Sequence, residues 1–91
     1  MVERPPDIVQ ANVISGNIAA DDGGGMVIWA AAPRVEANRI VNNSASSVGG
    51  GISMGNNATP NLMNNLLISN ARDGLYVGGS SPVVINNTVV G

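Results

Sequence analysis

The sequence has no cysteine, so neither a disulfide framework nor a thiolate metal site can be built, and the redox compartment leaves no trace in it. It also lacks histidine and lysine; its 4 basic residues are all arginine, against 6 acidic ones, for a net charge of −2. A phosphate-binding footprint needs a basic stripe, so this balance argues against nucleic acid as a partner. A polybasic membrane anchor is excluded on the same ground. Long apolar runs are missing too. The longest, Met26 to Pro33, falls far short of the ~20 residues a membrane span requires, so membrane insertion is not expected. The opening Met1-Val2-Glu3-Arg4-Pro5-Pro6 resembles neither a signal peptide nor a transit peptide, and reads as an internal start or a trimmed end.

Aromatic residues are nearly absent, with no Phe, 1 Trp and 1 Tyr, whereas a globular core of this size normally rests on several. The interior must therefore come from Val, Ile, Leu, Met and Ala, which suits a thin core of repeated shape. What the chain does have is asparagine and 12 glycines, and both recur at regular places.

Four segments align on Asn: Val9 to Asn17, Val35 to Asn43, Leu62 to Asn70 and Val84 to Gly91. Each reads aliphatic, two variable residues, Asn, one variable, aliphatic, two variable, Asn, and the last stops before its second Asn. Downstream, Ala19, Ala45 and Ala71 follow the second Asn closely. Gly25-Met26-Val27-Ile28, Gly51-Ile52-Ser53-Met54 and Gly74-Leu75-Tyr76-Val77 then share the order Gly, aliphatic, any, aliphatic. Pro33, Pro60 and Pro82 open the last three units, with Asp7 in that place in the first. The Asn spacings are 26 (12 to 38), 27 (38 to 65) and 22 (65 to 87), and the short third unit lacks residues only between Asn70 and Gly74. An indel confined to one place per unit is the behaviour of a loop between strands that keep their register.

Aliphatic residues two apart, such as Met26 and Ile28 or Ile52 and Met54, have strand periodicity. Recurrent Gly, Asn and Pro disfavour helix. Parallel stacking puts like on like, and Asn gains most, because stacked amides hydrogen-bond along a ladder and Asn tolerates a left-handed bend. The expectation is an all-β chain: one domain over residues 1–91, folded as a single-stranded parallel β-helix (a solenoid) of about three and a half coils. Asn12, Asn38, Asn65 and Asn87 should form one ladder and Asn17, Asn43 and Asn70 a second. Val9, Val35, Leu62 and Val84 should form one interior column, and Ile14, Ile40, Leu67 and Val89 another.

The pattern Pro-x-Val-x-x-Asn-x-Ile-x-x-Asn followed by Gly-Gly-Ile resembles the right-handed parallel β-helix repeat of pectate-lyase-like proteins and of the carbohydrate-binding and sugar-hydrolase module, over residues 7–91. That resemblance implies three strands per coil and secreted or cell-envelope company. It leaves the activity open, because lyases, hydrolases, epimerases, adhesins and structural proteins share the fold.

The candidate sites follow from that likeness. Asp21 and Asp22 precede Gly23-Gly24-Gly25; paired carboxylates serve a glycan hydrolase as acid and base, or hold calcium in a lyase. The hydrolases the fold resembles also carry an essential His, which this chain lacks. The second unit has Ser46-Ser47 in that place and the third Arg72-Asp73, so a solvated loop is the plainer reading, and no cofactor is expected beyond the option of calcium. Arg34, Arg39 and Arg72 matter because the lyases resemble one another in using a basic residue near calcium-bound substrate; a surface ion pair of Arg34 or Arg39 with Glu36 is the bland alternative. Trp29 and Tyr76 should both point outward, where they could stack on sugar rings or serve loop packing or a contact between copies. By alignment Tyr76 corresponds to Val27, so the two aromatics do not share a column. The runs Gly23 to Gly25 and Gly49 to Gly51 lack the Lys-Ser/Thr and the helix of a phosphate loop and read as bends entering a strand. Three Asn-x-Ser/Thr matches, at Asn42, Asn57 and Asn86, are what an Asn-rich chain produces by chance.

Terminal coils expose strand edges that need caps. Glu3-Arg4-Pro5-Pro6 suits a blunt cap, whereas Val89-Val90-Gly91 leaves an aliphatic column open. The expectation is a fragment of a longer β-helix, or a unit that pairs end to end with another copy through the C-terminal coil. Three functions remain in play: a non-catalytic polysaccharide-binding or structural module; a polysaccharide lyase, hydrolase or epimerase, or a segment of one, using Asp21, Asp22 and a neighbouring Arg such as Arg34; and a self-assembling element. The absence of a convergent set of titratable groups favours the first.

Overall fold

The computed structural model describes residues 7–91, and the proposed cap Glu3 to Pro6 lies outside the described residues. The first coil contains β1 (Ile8–Gln10), β2 (Val13–Ser15), β3 (Ile18–Ala19) and β4 (Met26–Trp29). The second contains β5 (Arg34–Glu36), β6 (Arg39–Val41), β7 (Ser44–Ala45) and β8 (Ile52–Gly55). The third has only β9 (Asn61–Met63), β10 (Leu66–Ile68) and β11 (Leu75–Val77), and β12 (Val83–Ile85) and β13 (Thr88–Val90) begin a fourth. All pairing is parallel between equivalent strands of successive coils, in the orders β1-β5-β9-β12, β2-β6-β10-β13, β4-β8-β11 and β3-β7. This is a solenoid of three coils and the start of another.

Register follows the repeat. Val9, Val35, Leu62 and Val84 are partners in turn, as are Ile14, Ile40, Leu67 and Val89. The core consists of Ile28, Val35, Ile40, Ile52, Met54, Ala58, Leu62 and Leu67, with no aromatic ring in it. Only the middle members of each column are fully enclosed: Val84 and Val89, in the last described coil, are in register but 49% and 47% exposed.

The inner ladder residues Asn38, Asn65 and Asn43 each tie three coils together. Asn65 Nδ2 donates back to the Val35 carbonyl of the preceding coil at 2.8 Å and forward to Asn87 Oδ1 at 2.8 Å. Its own Oδ1 accepts from the backbone N–H of Asn38 at 3.1 Å and from Asn38 Nδ2 at 3.0 Å. Asn43 repeats the scheme with Ile14 and Asn70 in the second ladder. Both amide hydrogens are used, and the oxygen takes two bonds, so the buried amide is fully matched.

The left-handed backbone falls elsewhere than expected. The ladder asparagines are not in it; the residue before each of them is. Ala11, Ala37, Asn64 and Asn86 precede the first ladder with φ between 53° and 57°, and Gly16, Asn42 and Ser69 precede the second. Placing the reversal one residue earlier turns the ladder side chain inward, where its amide can bridge coils. A third such column, Ala30, Asn56 and Gly79, follows β4, β8 and the end of β11. A fourth is Gly23, Gly49 and Arg72.

Alanine is a poor occupant of this conformation, since its Cβ crowds the following carbonyl, whereas Asn visits it readily. Ala37 is exposed, with φ of 56°. Ala37→Asn is therefore expected to stabilise the fold by about 0.5–1 kcal/mol, a rise of a few degrees in thermal midpoint for a chain of this size. Calorimetry of the variant checks this; a lowered midpoint would contradict the assignment of this bend.

Four details of the repeat need correction. The shortened third unit loses more than a loop: it has no equivalent of the short strands β3 and β7. The N–H of Ala71 bonds the Asn43 carbonyl as that of Ser44 bonds Asn17, so Ala71 is the partner of Ser44 and not of Ala45. Likewise Arg72 does not replace the acidic pair; it takes the left-handed bend that Gly23 and Gly49 occupy in the other coils. The strand count per coil is also higher than the resemblance implied, being four in the first two coils and three in the third.

Candidate functional site

The sheet β4-β8-β11 carries the one face on which both aromatic residues lie. Strand alternation sends Ile28, Met54 and Ile52 into the core, so Val27, Ser53 and Tyr76 form one outward column. Two residues on, Trp29 is the partner of Gly55. Trp29 and Tyr76 are thus two coils apart and two residues offset along the strand, about 12 Å between backbones from the spacing and rise of stacked strands. They are 64% and 39% exposed.

Between them the middle coil has only Ser53, 5% exposed at the floor of the groove, and Gly55. That difference in size makes the groove: bulk on the first and third coils, almost none on the second. The groove encloses about 350 Å³, and its polar lining includes Asp22, Ser47, Ser53 and Asn56 beside the two rings. Gly55 is needed for the shape, because a Cβ there would come within 2.7 Å of Trp29 Cζ3. Gly78 serves Tyr76 in the same way, with a clearance of 2.9 Å to Cε2. Each ring therefore passes close over a glycine while much of it stays open to solvent.

The remaining candidates are placed as follows. Asp22 is half-buried and lines the groove, whereas its neighbour Asp21 is exposed and is not among the lining residues. Arg34 lies on a different sheet and is paired with Glu36, Nε to Oε2 at 2.8 Å and Nη2 to Oε2 at 2.6 Å. With the arginine side chain 46% exposed, such a pair contributes ~0–1 kcal/mol. Arg39 lies on β6, in a third sheet. Arg72 reaches back over the second coil, donating Nε to the Ser47 carbonyl at 2.9 Å and Nη2 to the Ser46 carbonyl at 2.7 Å, while Asp73 Oδ2 accepts from Gly49 N–H at 3.3 Å. Arg72 and Asp73 together hold the bend that the shortened unit must make. No group of three or more acidic residues capable of holding a metal ion occurs among the described residues.

The structure thus gathers Asp22, Trp29 and Tyr76 at one place and leaves Asp21, Arg34, Arg39 and Arg72 outside it. Ser47, Ser53, Gly55 and Asn56 were not singled out from the sequence, yet the repeat contained the signal for two of them. Writing Val27, Ser53, Tyr76 and Trp29, Gly55, Gly78 as columns shows a large–small–large profile at the first position and a glycine beneath the indole at the second.

A family model described as the right-handed β-helix region matches residues 7–91. The chain belongs to the right-handed β-helix family. Searches of curated proteins and of solved structures gave no match. The handedness of the coil, expected from the resemblance, is that of the family. In this right-handed β-helix the groove lies across three successive coils on one sheet, and its rigidity comes from the ladders and core behind it.

Proposed function

We propose that this β-helix is a non-catalytic module that binds a polysaccharide on the β4-β8-β11 face. The observation that carries the reading is the convergence of the only two aromatic residues of the chain, 47 positions apart in sequence, on one open groove with polar groups between them. Sugar rings pair an apolar face with a rim of hydroxyls. Solvent-facing Trp29 and Tyr76 offer surfaces for the former, and Asp22, Ser47, Ser53 and Asn56 offer partners for the latter. A hydrolytic reading is less well supported, because acid–base cleavage of a glycosidic bond needs two carboxyl groups across the substrate and Asp22 is the only carboxylate among the described lining residues.

The test is affinity electrophoresis or titration calorimetry against a panel of soluble polysaccharides. Trp29→Ala and Tyr76→Ala should each weaken binding about tenfold, corresponding to ~1.4 kcal/mol of lost stacking, with little change in thermal midpoint because both side chains are outside the core. If no polysaccharide binds the wild-type chain, or if binding survives the double substitution, this function is rejected.

A further inference from the structure

Building on the glycan-binding reading, we infer that the groove selects neutral polysaccharides and discriminates against uronate polymers. The inference rests on the charges that face the groove and on those that do not. Asp22 is the one ionisable group besides the Tyr76 phenol among the lining residues. A uronate chain, with a carboxylate on every ring, would meet this half-buried carboxylate with no cation among the described lining residues to offset it, and like charges brought together in a partly desolvated site repel. None of the described arginines lines the groove. Arg34 is paired with Glu36 on another sheet, and Arg39 is on β6. Arg72 comes nearest, through the backbone of Ser47, but it does not line the groove, and its guanidinium is held by the Ser46 and Ser47 carbonyls. Calcium bridging, the usual way to bring two carboxylates together, requires several oxygen ligands, and the groove supplies one carboxylate.

Toward a neutral sugar the same carboxylate is an asset. It is an acceptor without a hydrogen of its own, matched to hydroxyl donors, and charge-assisted bonds of this kind are about twice as strong as neutral ones. Ser53 and Asn56 can both donate and accept, which suits hydroxyls in either role.

The experiment measures binding of a soluble β-glucan, a galactomannan and polygalacturonate to the wild-type chain, to Trp29→Ala and to Asp22→Asn, at low and high salt, with and without calcium. The expected result is that at least one neutral polymer binds through the groove, lost in Trp29→Ala, while polygalacturonate binds at least about tenfold more weakly at low salt. The gap should narrow at high salt. Asp22→Asn should also narrow it, by weakening the neutral polymer and strengthening polygalacturonate binding. Polygalacturonate bound as tightly as the neutral polymers, with or without calcium, and released by Trp29→Ala would overturn the selectivity while leaving the binding function intact. No binding by any of the three, extended to the wider panel, would remove the binding function itself and this inference with it.

Discussion

Asn65→Ala is expected to cost about 3–6 kcal/mol, half or more of the stability available to a domain of this length. The side chain is 2% exposed and takes part in four hydrogen bonds, two donated and two accepted. Removing it leaves the Asn38 N–H and one Asn38 amide hydrogen without partners in a buried position, and takes one bond from the Val35 carbonyl, at ~1–3 kcal/mol for each group that water cannot reach. Asn65→Asp keeps the shape and the acceptor but has no hydrogen to offer Val35 or Asn87, and sets a buried carboxylate oxygen against both acceptors. It should be nearly as damaging at neutral pH, and so separates hydrogen bonding from packing. Asn87, in the last coil and only partly buried, supplies the internal comparison: Asn87→Ala should cost less, because solvent can take over the lost bonds. Urea denaturation of the three variants measures this. Equal, small losses at positions 65 and 87 would show that the ladder contributes little.

The ladders were also the most legible part of the fold, for the same physical reason. A residue that must match its own kind one coil above and one below leaves a periodic record, and the aliphatic columns leave another, so the pairings β1-β5-β9-β12, β2-β6-β10-β13 and β4-β8-β11 could be read from spacing alone. Features that depend on one coil differing from its neighbours could not. Arg72 reads as a loop charge because nothing in its flanking residues says that the third coil omits β3's equivalent and must turn four residues sooner. The left-handed positions were misplaced by one residue, since the Asn-rich composition draws attention to the ladder and away from Ala37, an unlikely-looking occupant that the column of Ala11, Asn64 and Asn86 explains. The site was half legible. Outward Trp29 and Tyr76 follow from alternation, but their convergence depends on the smallness of Ser53 and Gly55 between them, a property of the column and not of either aromatic.

The second large effect concerns the glycine runs, whose role is only partly that of bends. Gly23 and Gly49 occupy left-handed backbone, but Gly24, Gly25, Gly50 and Gly51 are there because successive coils approach too closely for any side chain. A Cβ on Gly50 would overlap the carbonyl oxygen of Ala71, and one on Gly51 that of Gly74; both are backbone atoms that cannot rotate away. A Cβ on Gly25 would lie 2.6 Å from the Gly51 oxygen, so the crowding recurs between the first and second coils. To admit alanine at position 50 the coils must move apart locally from their ~4.8 Å spacing, weakening the bonds from Gly51 and Ile52 to Asp73 and Gly74. Gly50→Ala is therefore expected to lose about 3 kcal/mol or more, the upper range for forcing volume into a closed interior. Gly79→Ala isolates the other effect. It has open space around its Cβ position but a φ of 56°, so it should lose only ~1 kcal/mol. Chemical denaturation of the pair distinguishes the two causes. If Gly50→Ala proved as mild as Gly79→Ala, the second and third coils could not be in the register that also aligns Ser53 with Tyr76, and the floor of the groove would have to be drawn again.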